Sequence, residues 1–269
     1  MPALDTIASY QGTVNSTLAA GVMATGDSAT IRNFPDSATA LILAAFYDDV
    51  TTPLAWRVRS PLLHDNVRGI QFGPGATAPA ELFPGFVPQS LEAQDQLTFE
   101  LSTAAATGKA LGALAIYYSQ LPGASSRLHS LGDIQGLVKN VKPVLISIGS
   151  GANTAGQWYD LVITTTESLL HANTDYAVLG ATLDVAVACL AVRGIDTGNL
   201  RCGVPGGVNN PYGPSYFARL SQVTGLPTIP VINSANAGST FISIISSAAT
   251  GAASSFTLYL AELSQNLAS

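Results

Sequence analysis

The sequence predicts an all-β protein: two tandem jelly-roll or β-sandwich units with short helical inserts and a linker helix. Three observations predict it. Apolar and polar residues alternate in TFELST, AIYYSQL, FISIISS and FTLYLAEL, the period-two mark of strands with one buried face. Turn-forming clusters separate such segments, among them Asp48-Asp49, Gly73-Pro74-Gly75, Pro122-Gly123, Gly203 to Gly207, Asn209-Asn210-Pro211 and Ala235 to Gly238. The two halves also read in parallel.

That parallel has a register. Residues 41–66 (LILAAFYDDVTTPLAWRVRSPLLHDN) lie against 185–210 (VAVACLAVRGIDTGNLRCGVPGGVNN) at a shift of 144, matching Leu41 with Val185, Arg57 with Arg201 and Pro61 with Pro205. Residues 97–121 lie against 239–263, matching Phe99 with Phe241 and Thr107-Gly108 with Thr250-Gly251. A kept order of elements at a nearly constant shift points to duplication of one unit.

In chain order, strands fit 28–34, 38–48, 54–60, 67–72, 95–103 and 110–120 in the first unit. In the second they fit 143–148, 159–166, 175–180, 183–193, 198–204, 228–233, 239–246 and 254–262. Many short strands with regular turns suit a sandwich or jelly roll. Helical spacing occurs three times. Leu4, Ile7, Val14 and Leu18 make one face of an N-terminal helix. Leu128, Leu131, Ile134, Leu137, Val138 and Val141 make another after cap candidates Ser125 and Ser126, and this connector separates the units. A third fits Pro214–Val223, with Tyr216, Phe217 and Leu220 on one side; residues 79–94 are its expected counterpart, with a turn or two of helix.

Composition narrows function. Of 269 residues 47% are apolar and 10% charged, against roughly 25% charged in an average domain. Ala, Ser, Thr and Gly replace the missing charge. A surface so poor in charge suits contact with other protein; it suits a secreted Ser/Thr-rich β protein equally. The net charge is −6 and the bases form no stripe, so direct nucleic-acid binding is not expected. Nothing basic precedes Arg32, and neither Ala177–Val192 nor Thr240–Leu260 reads as a membrane span. A soluble protein made in a cytoplasm is expected.

No catalytic, cofactor-binding or metal-binding residue stands out. His64, His129 and His171 are far apart in sequence, without ligand-spaced partners. Cys189 and Cys202 make neither a zinc pattern nor a redox motif; Cys189 reads as a small core residue, and a disulfide between the two stays open. SIGSGANTAG (147–156) lacks a phosphate-binding Lys and reads as a loop. Asp48 and Asp49 are oxygen donors for a cation, or simply solvated. Glu81, Glu92, Glu100 and Glu167 are the acids for glycosidase chemistry, with Glu100 read as an outward-facing strand acid. Trp56 and Trp158 suit sugar stacking, or core and interface packing. The matched Arg57 and Arg201 suggest one structural job done twice.

Two tandem jelly rolls, each with a helical insert, a linker helix and an N-terminal arm, resemble the double jelly-roll major capsid proteins of tailless icosahedral viruses. The resemblance is architectural and spans nearly the whole chain. It implies a structural virion protein, not an enzyme: a capsid subunit forming homotrimers that present six similar faces and tile a shell beside other virion proteins. It also implies synthesis in a host cytoplasm, a place in the virion, no cofactor, and an internal membrane nearby without a membrane span. The implied division is an arm at 1–25, a first unit at 26–123, a connector at 124–141 and a second unit at 142–269, with loops 73–90 and 203–214 outermost. Two other readings compete. A carbohydrate-binding or adhesive tandem β-sandwich would bind glycans, and a hydrolase would need acids or His converging between the units.

Overall fold

The computed structural model describes residues 2–11, 24–30, 37–47, 55–62, 69–72, 81–82, 89–102, 109–119, 127–148, 157–163, 170–183, 187–206, 212–246 and 254–267. The first half holds β1 (Pro2–Gln11), β2 (Ala24–Thr30), β3 (Ser37–Tyr47), β4 (Ala55–Arg59) and β5 (Ile70–Phe72). They are followed by β6 (Glu81–Leu82), β7 (Gln89–Leu91), β8 (Gln96–Ser102) and β9 (Lys109–Ser119). One sheet runs β1-β9-β3-β6, with β7 also on β3; the other runs β2-β8-β4-β5. The chain passes from sheet to sheet at β1–β2, β2–β3, β3–β4, β5–β6, β7–β8 and β8–β9, which is jelly-roll winding.

The second half begins with β10 (Leu128–His129), the helix α1 (Leu131–Gln135), β11 (Val138–Ile148) and β12 (Trp158–Val162). Then come β13 (Asp175–Thr182), β14 (Val187–Arg193), β15 (Cys202–Pro205) and the helix α2 (Tyr216–Thr224). The chain ends with β16 (Ile229–Asn233), β17 (Phe241–Ser246) and β18 (Ser254–Leu263). Its sheets run β10-β16-β13-β18-β11 and β12-β17-β14-β15. Without β10, this is the strand order of the first half. All strand pairing is antiparallel.

The repeated order corrects the register read from sequence. Strand β3 takes the place of β13 and β4 that of β14, so the shift of 144 set β3 one strand too far along. Arg57 belongs to β4 and Arg201 just precedes β15, so the two are not counterparts. The later match holds at the level of elements, because β8 and β9 stand where β17 and β18 do.

Two helical expectations change. Residues 2–11 form a strand paired with β9 along its whole length; Val14 and Leu18 lie outside the described residues. Leu4 and Asp5 are both buried, because each face of β1 meets protein. Burial on both faces removes alternation and leaves a spacing that imitates a helix. Among the described residues of the expected connector only Leu131–Gln135 is helical, capped by a Ser130–Asp133 capping box and ended at Gly136. The β-branched run that follows forms β11, whose alternating burial continues to Ile148. The cap candidates Ser125 and Ser126 lie outside the described residues. The segment expected as an arm, 1–25, contributes β1 and the start of β2. Within 79–94 the described residues form β6 and β7 rather than a turn of helix.

Helix α2 lies where the sequence places it. A 3-10 turn with Pro214 leads into it, and Gly225, at φ 69°, ends it in the left-handed conformation. Tyr216, Phe217 and Leu220 are buried. The helix covers the sheet containing β13 at small residues: a Cβ on Gly180 would lie 2.0 Å from the carbonyl oxygen of Gly213. Helix α1 joins this layer through Ile134 and through Leu131 N–H, which donates to Ser221 Oγ at 3.0 Å. With helices on one face and β12-β17-β14-β15 on the other, β13 and β16 are buried almost throughout. Leu4, Leu43, Leu114 and Ile116 of the first unit join the core of the second.

Candidate functional site

The candidate site is the seam between the two units, where two sheet edges meet. Strand β1 ends one sheet of the first unit and β15 ends one sheet of the second. Thr6 N–H donates to the Arg201 carbonyl at 2.8 Å, and Arg201 N–H donates to Asp5 Oδ1 at 3.2 Å. Cys202 Sγ approaches the Leu4 carbonyl at 3.6 Å. On the outer edge of β1 the Thr6 N–H and the Leu4 carbonyl thus find partners in the chain's own second unit.

Side chains explain the fit. Asp160, Ser243, Ala191 and Gly203 lie abreast across β12, β17, β14 and β15. They face away from the second unit's interior, yet Ala191, Ser243 and Gly203 are buried. A Cβ on Gly203 would sit 2.2 Å from Thr6 Oγ1, so glycine lets β1 come close. Beside this row Trp158 packs on Ala188, Cys189 and Ile245, and Arg201 stacks on its ring at 4.9 Å. Trp158 therefore serves packing. The side chain of Trp56 lies outside the described residues.

The equivalent row of the first unit is charged. Register places Arg57 and Glu100 where the second unit has Ala191 and Ser243, and Arg59 where it has Arg193. Glu100 is buried, held by Arg57 Nε and by Arg59 Nη2 at 2.7 Å. It points away from the unit's interior, as expected, and is closed over by its arginines. In the second unit Arg193 reaches instead to Asp160, at 2.5 Å. An acid gripped by an arginine recurs, on β8 in one unit and on β12 in the other. Arg57 and Arg201 do different jobs: one binds a carboxylate, the other covers an indole ring.

A second polar cluster anchors the start of the second unit. Asp175, fully buried, accepts from Arg127 Nη1 at 2.9 Å, Asn233 Nδ2 at 2.7 Å and Leu267 N–H at 2.8 Å. Asp196 accepts from Asn233 N–H at 3.0 Å and lies 3.5 Å from Arg127 Nε. Sequence reading missed this cluster, since its members are scattered over 127–267 without a motif. On the edge strand β11, Lys142 Nζ lies 2.9 Å from Glu262, which His171 Nδ1 also meets at 3.0 Å. These contacts, the Lys142 hydrogen bond foremost, hold the Glu262 carboxyl below its ordinary range.

Other expected residues are dispersed. His129 is half-buried, and burial lowers its pKa. His64, Asp48, Asp49 and Glu167 lie outside the described residues; Glu92 is exposed. Cys189 and Cys202 are unbonded. Cys202 stands opposite Val192, so Cys189 projects from the other face of the sheet. No group of His, Cys, Asp and Glu placed to hold a metal occurs among the described residues. No helix among them is long and apolar enough to cross a membrane.

The fold is all-β, two jelly-roll units in succession that touch along an edge. No family model matches the chain, and no curated protein does. Among solved structures it is similar to a chain in the atomic structure of Sulfolobus Turreted Icosahedral Virus, at 10% identity over 99% of this chain and 81% of that one, with a TM-score of 0.26. It is also similar to a chain from an archaeal virus described for its triple jelly-roll fold and turret assembly, at 10% identity over 94% and 60%, with a TM-score of 0.24. The PBSX exported protein XepA gives 9% identity over 94% and 93%, with a TM-score of 0.19.

Proposed function

We propose that the chain is the major capsid subunit of an icosahedral virus, a non-enzymatic protein forming homotrimers whose six jelly rolls tile a shell. The observation that carries this reading is the seam: two units of the same winding, joined by an unsymmetrical edge contact between β1 and β15. Such head-to-tail contacts close into rings when copies repeat them. Two units per chain make a six-membered ring from three copies. A charge content of 10% suits a surface largely covered by neighbours.

The finer assignments belong to the same proposal. Duplication of one ancestral unit accounts for the shared strand order. The connector at 124–141 divides the units, residues 1–25 make the inter-unit arm, and loops 73–90 and 203–214 face outward. Other virion proteins are its neighbours, a membrane lies beneath the shell without being crossed, and the genome is not bound directly. Engagement of Arg57, Arg59, Arg127, Lys142 and Arg193 by carboxylates supports that last point.

Light scattering of the purified chain tests the reading. A discrete species at three times 27.6 kDa, building into sheets or particles in electron micrographs, is expected. A monomer at every concentration would overturn it.

A further inference from the structure

We infer that Lys139 and His171, beside a Glu262 carboxylate already neutralised by Lys142, form a binding site for one tetrahedral oxyanion, a phosphate or a phosphoryl group. The inference does not depend on the shell reading.

Charge is the first observation. Glu262 is 5% exposed and meets three basic groups: Lys142 Nζ at 2.9 Å, His171 Nδ1 at 3.0 Å and Lys139 Nζ at 3.9 Å. One cation balances a buried carboxylate. Lys142, its side chain 14% exposed, supplies it and also lies 5.5 Å from the Tyr176 ring. Lys139 then makes the cluster net positive even with a neutral imidazole. Glu262 is held below the ordinary carboxylate range, first by the Lys142 hydrogen bond, so it is ionised at neutral pH and the count holds. Among the described residues neither Lys139 nor His171 pairs with another acid. A surplus cation in a chain of net charge −6 is accounted for by an anion that completes the set.

The backbone is the second observation. Residues three apart on a regular strand face opposite ways, yet Lys139 and Lys142 reach the same carboxylate. The register of β11 against β18 slips between Val138 and Asn140, which face Leu263 and Glu262, so Lys139 is the extra residue of a bulge. Bulges re-aim a side chain and recur beside functional sites. His171 is also fixed in place: its N–H donates to Tyr176 Oη at 2.7 Å, and its carbonyl accepts from Ser234 Oγ at 2.6 Å. Its Nδ1 and Lys139 Nζ approach the same oxygen, Glu262 Oε1, so one tetrahedral oxyanion can span both side chains. Nδ1, set against a carboxylate, carries the ring proton. Nε2 then accepts the O–H of a hydrogen phosphate, or donates to a phosphate oxygen once the ring is protonated. The side chains of His171 and Lys139 are 66% and 54% exposed, which leaves them open to solvent. An ammonium group suits phosphate as a point charge. Two such groups hold one phosphoryl group, not the run of them on a nucleic acid.

Calorimetric titration of the chain with inorganic phosphate, against sodium chloride at matched ionic strength, tests the site. One phosphate per chain is expected. Lys139→Gln and His171→Gln should each weaken it about tenfold, the worth of one charge-assisted hydrogen bond, while Lys139→Arg binds like the wild type. Phosphate should raise the melting temperature of the wild-type chain and leave that of Lys139→Gln nearly unchanged. Both side chains are largely exposed, so all variants should melt near the wild type in chloride. Vesicles of phosphatidylcholine, with and without phosphatidylglycerol, identify the source of the anion. Sedimentation with the anionic vesicles alone, lost in Lys139→Gln, identifies a lipid headgroup; phosphate binding without sedimentation identifies the free ion. Phosphate heat no larger than that of chloride would overturn the site, and so would phosphate binding untouched by Lys139→Gln and His171→Gln together.

Discussion

The backbone N–H of Thr6 donates to the carbonyl of Arg201 at 2.8 Å, so β1 of the first unit is tied to the residue that leads into β15 of the second. The two jelly rolls do not merely follow each other along the sequence. They share an edge, and apolar residues of the first enter the core of the second. Four predictions concern this arrangement and the clusters around it.

Gly203→Ala should weaken the seam. The added methyl would stand 2.2 Å from Thr6 Oγ1 and 2.9 Å from Cys189 Sγ, and overpacking of this kind costs about 1–3 kcal/mol. Thr6→Ala removes the nearer obstacle, so the cost should shrink in that background. Urea unfolding of the four chains in the double-mutant cycle measures the coupling; strictly additive effects would refute the contact.

Asp175→Ala removes the acceptor shared by Arg127, Asn233 and Leu267. Removing one partner of a buried ion pair costs about 3–5 kcal/mol. The urea midpoint should drop accordingly with little change in slope. Glu92→Ala, at an exposed position, should shift the midpoint hardly at all.

Glu262 should couple stability to acid. Its pKa is lowered in the folded chain, first by the Lys142 hydrogen bond and also by His171. Its contribution is therefore complete above the carboxylate range and is lost as pH falls through the depressed folded value. Glu262→Gln should lower the melting temperature most near neutrality, and the gap should close in acid. Lys139, Lys142, His171 and Tyr176 are the titratable groups nearest this carboxyl or its lysine. A gap that persists unchanged at low pH would contradict this account.

Both thiols should be silent until the chain unfolds. Burial pushes Cys189 and Cys202 well above the ordinary thiol range, and the thiolate is the reactive form. A maleimide should leave the native mass unchanged and add twice in denaturant without reductant. No addition at all would mean that a disulfide joins the two despite the opposed faces.

Much of the fold was legible in residues whose surroundings are uneven. Strand β18 shows its buried face directly, because Phe256, Leu258 and Leu260 alternate with more exposed neighbours. Helix α2 was legible because Tyr216, Phe217 and Leu220 fall on one side and Gly225 ends it. Strand β1 was not, since Leu4 faces the core and Asp5 faces the seam, both buried. Nor was the true register of the halves, because small apolar strands resemble one another whichever position they fill.

The sequence by itself determined that this is an all-β chain of two tandem units with few charges, for alternation, turn chemistry and composition are local properties. Tertiary structure alone decided which strands correspond, that Arg127 joins Asp175 and Asp196, and that Gly203 makes room for Thr6. The physical reason is distance along the chain. Each of these contacts joins residues far apart in sequence, and only the folded sheets bring their edges together.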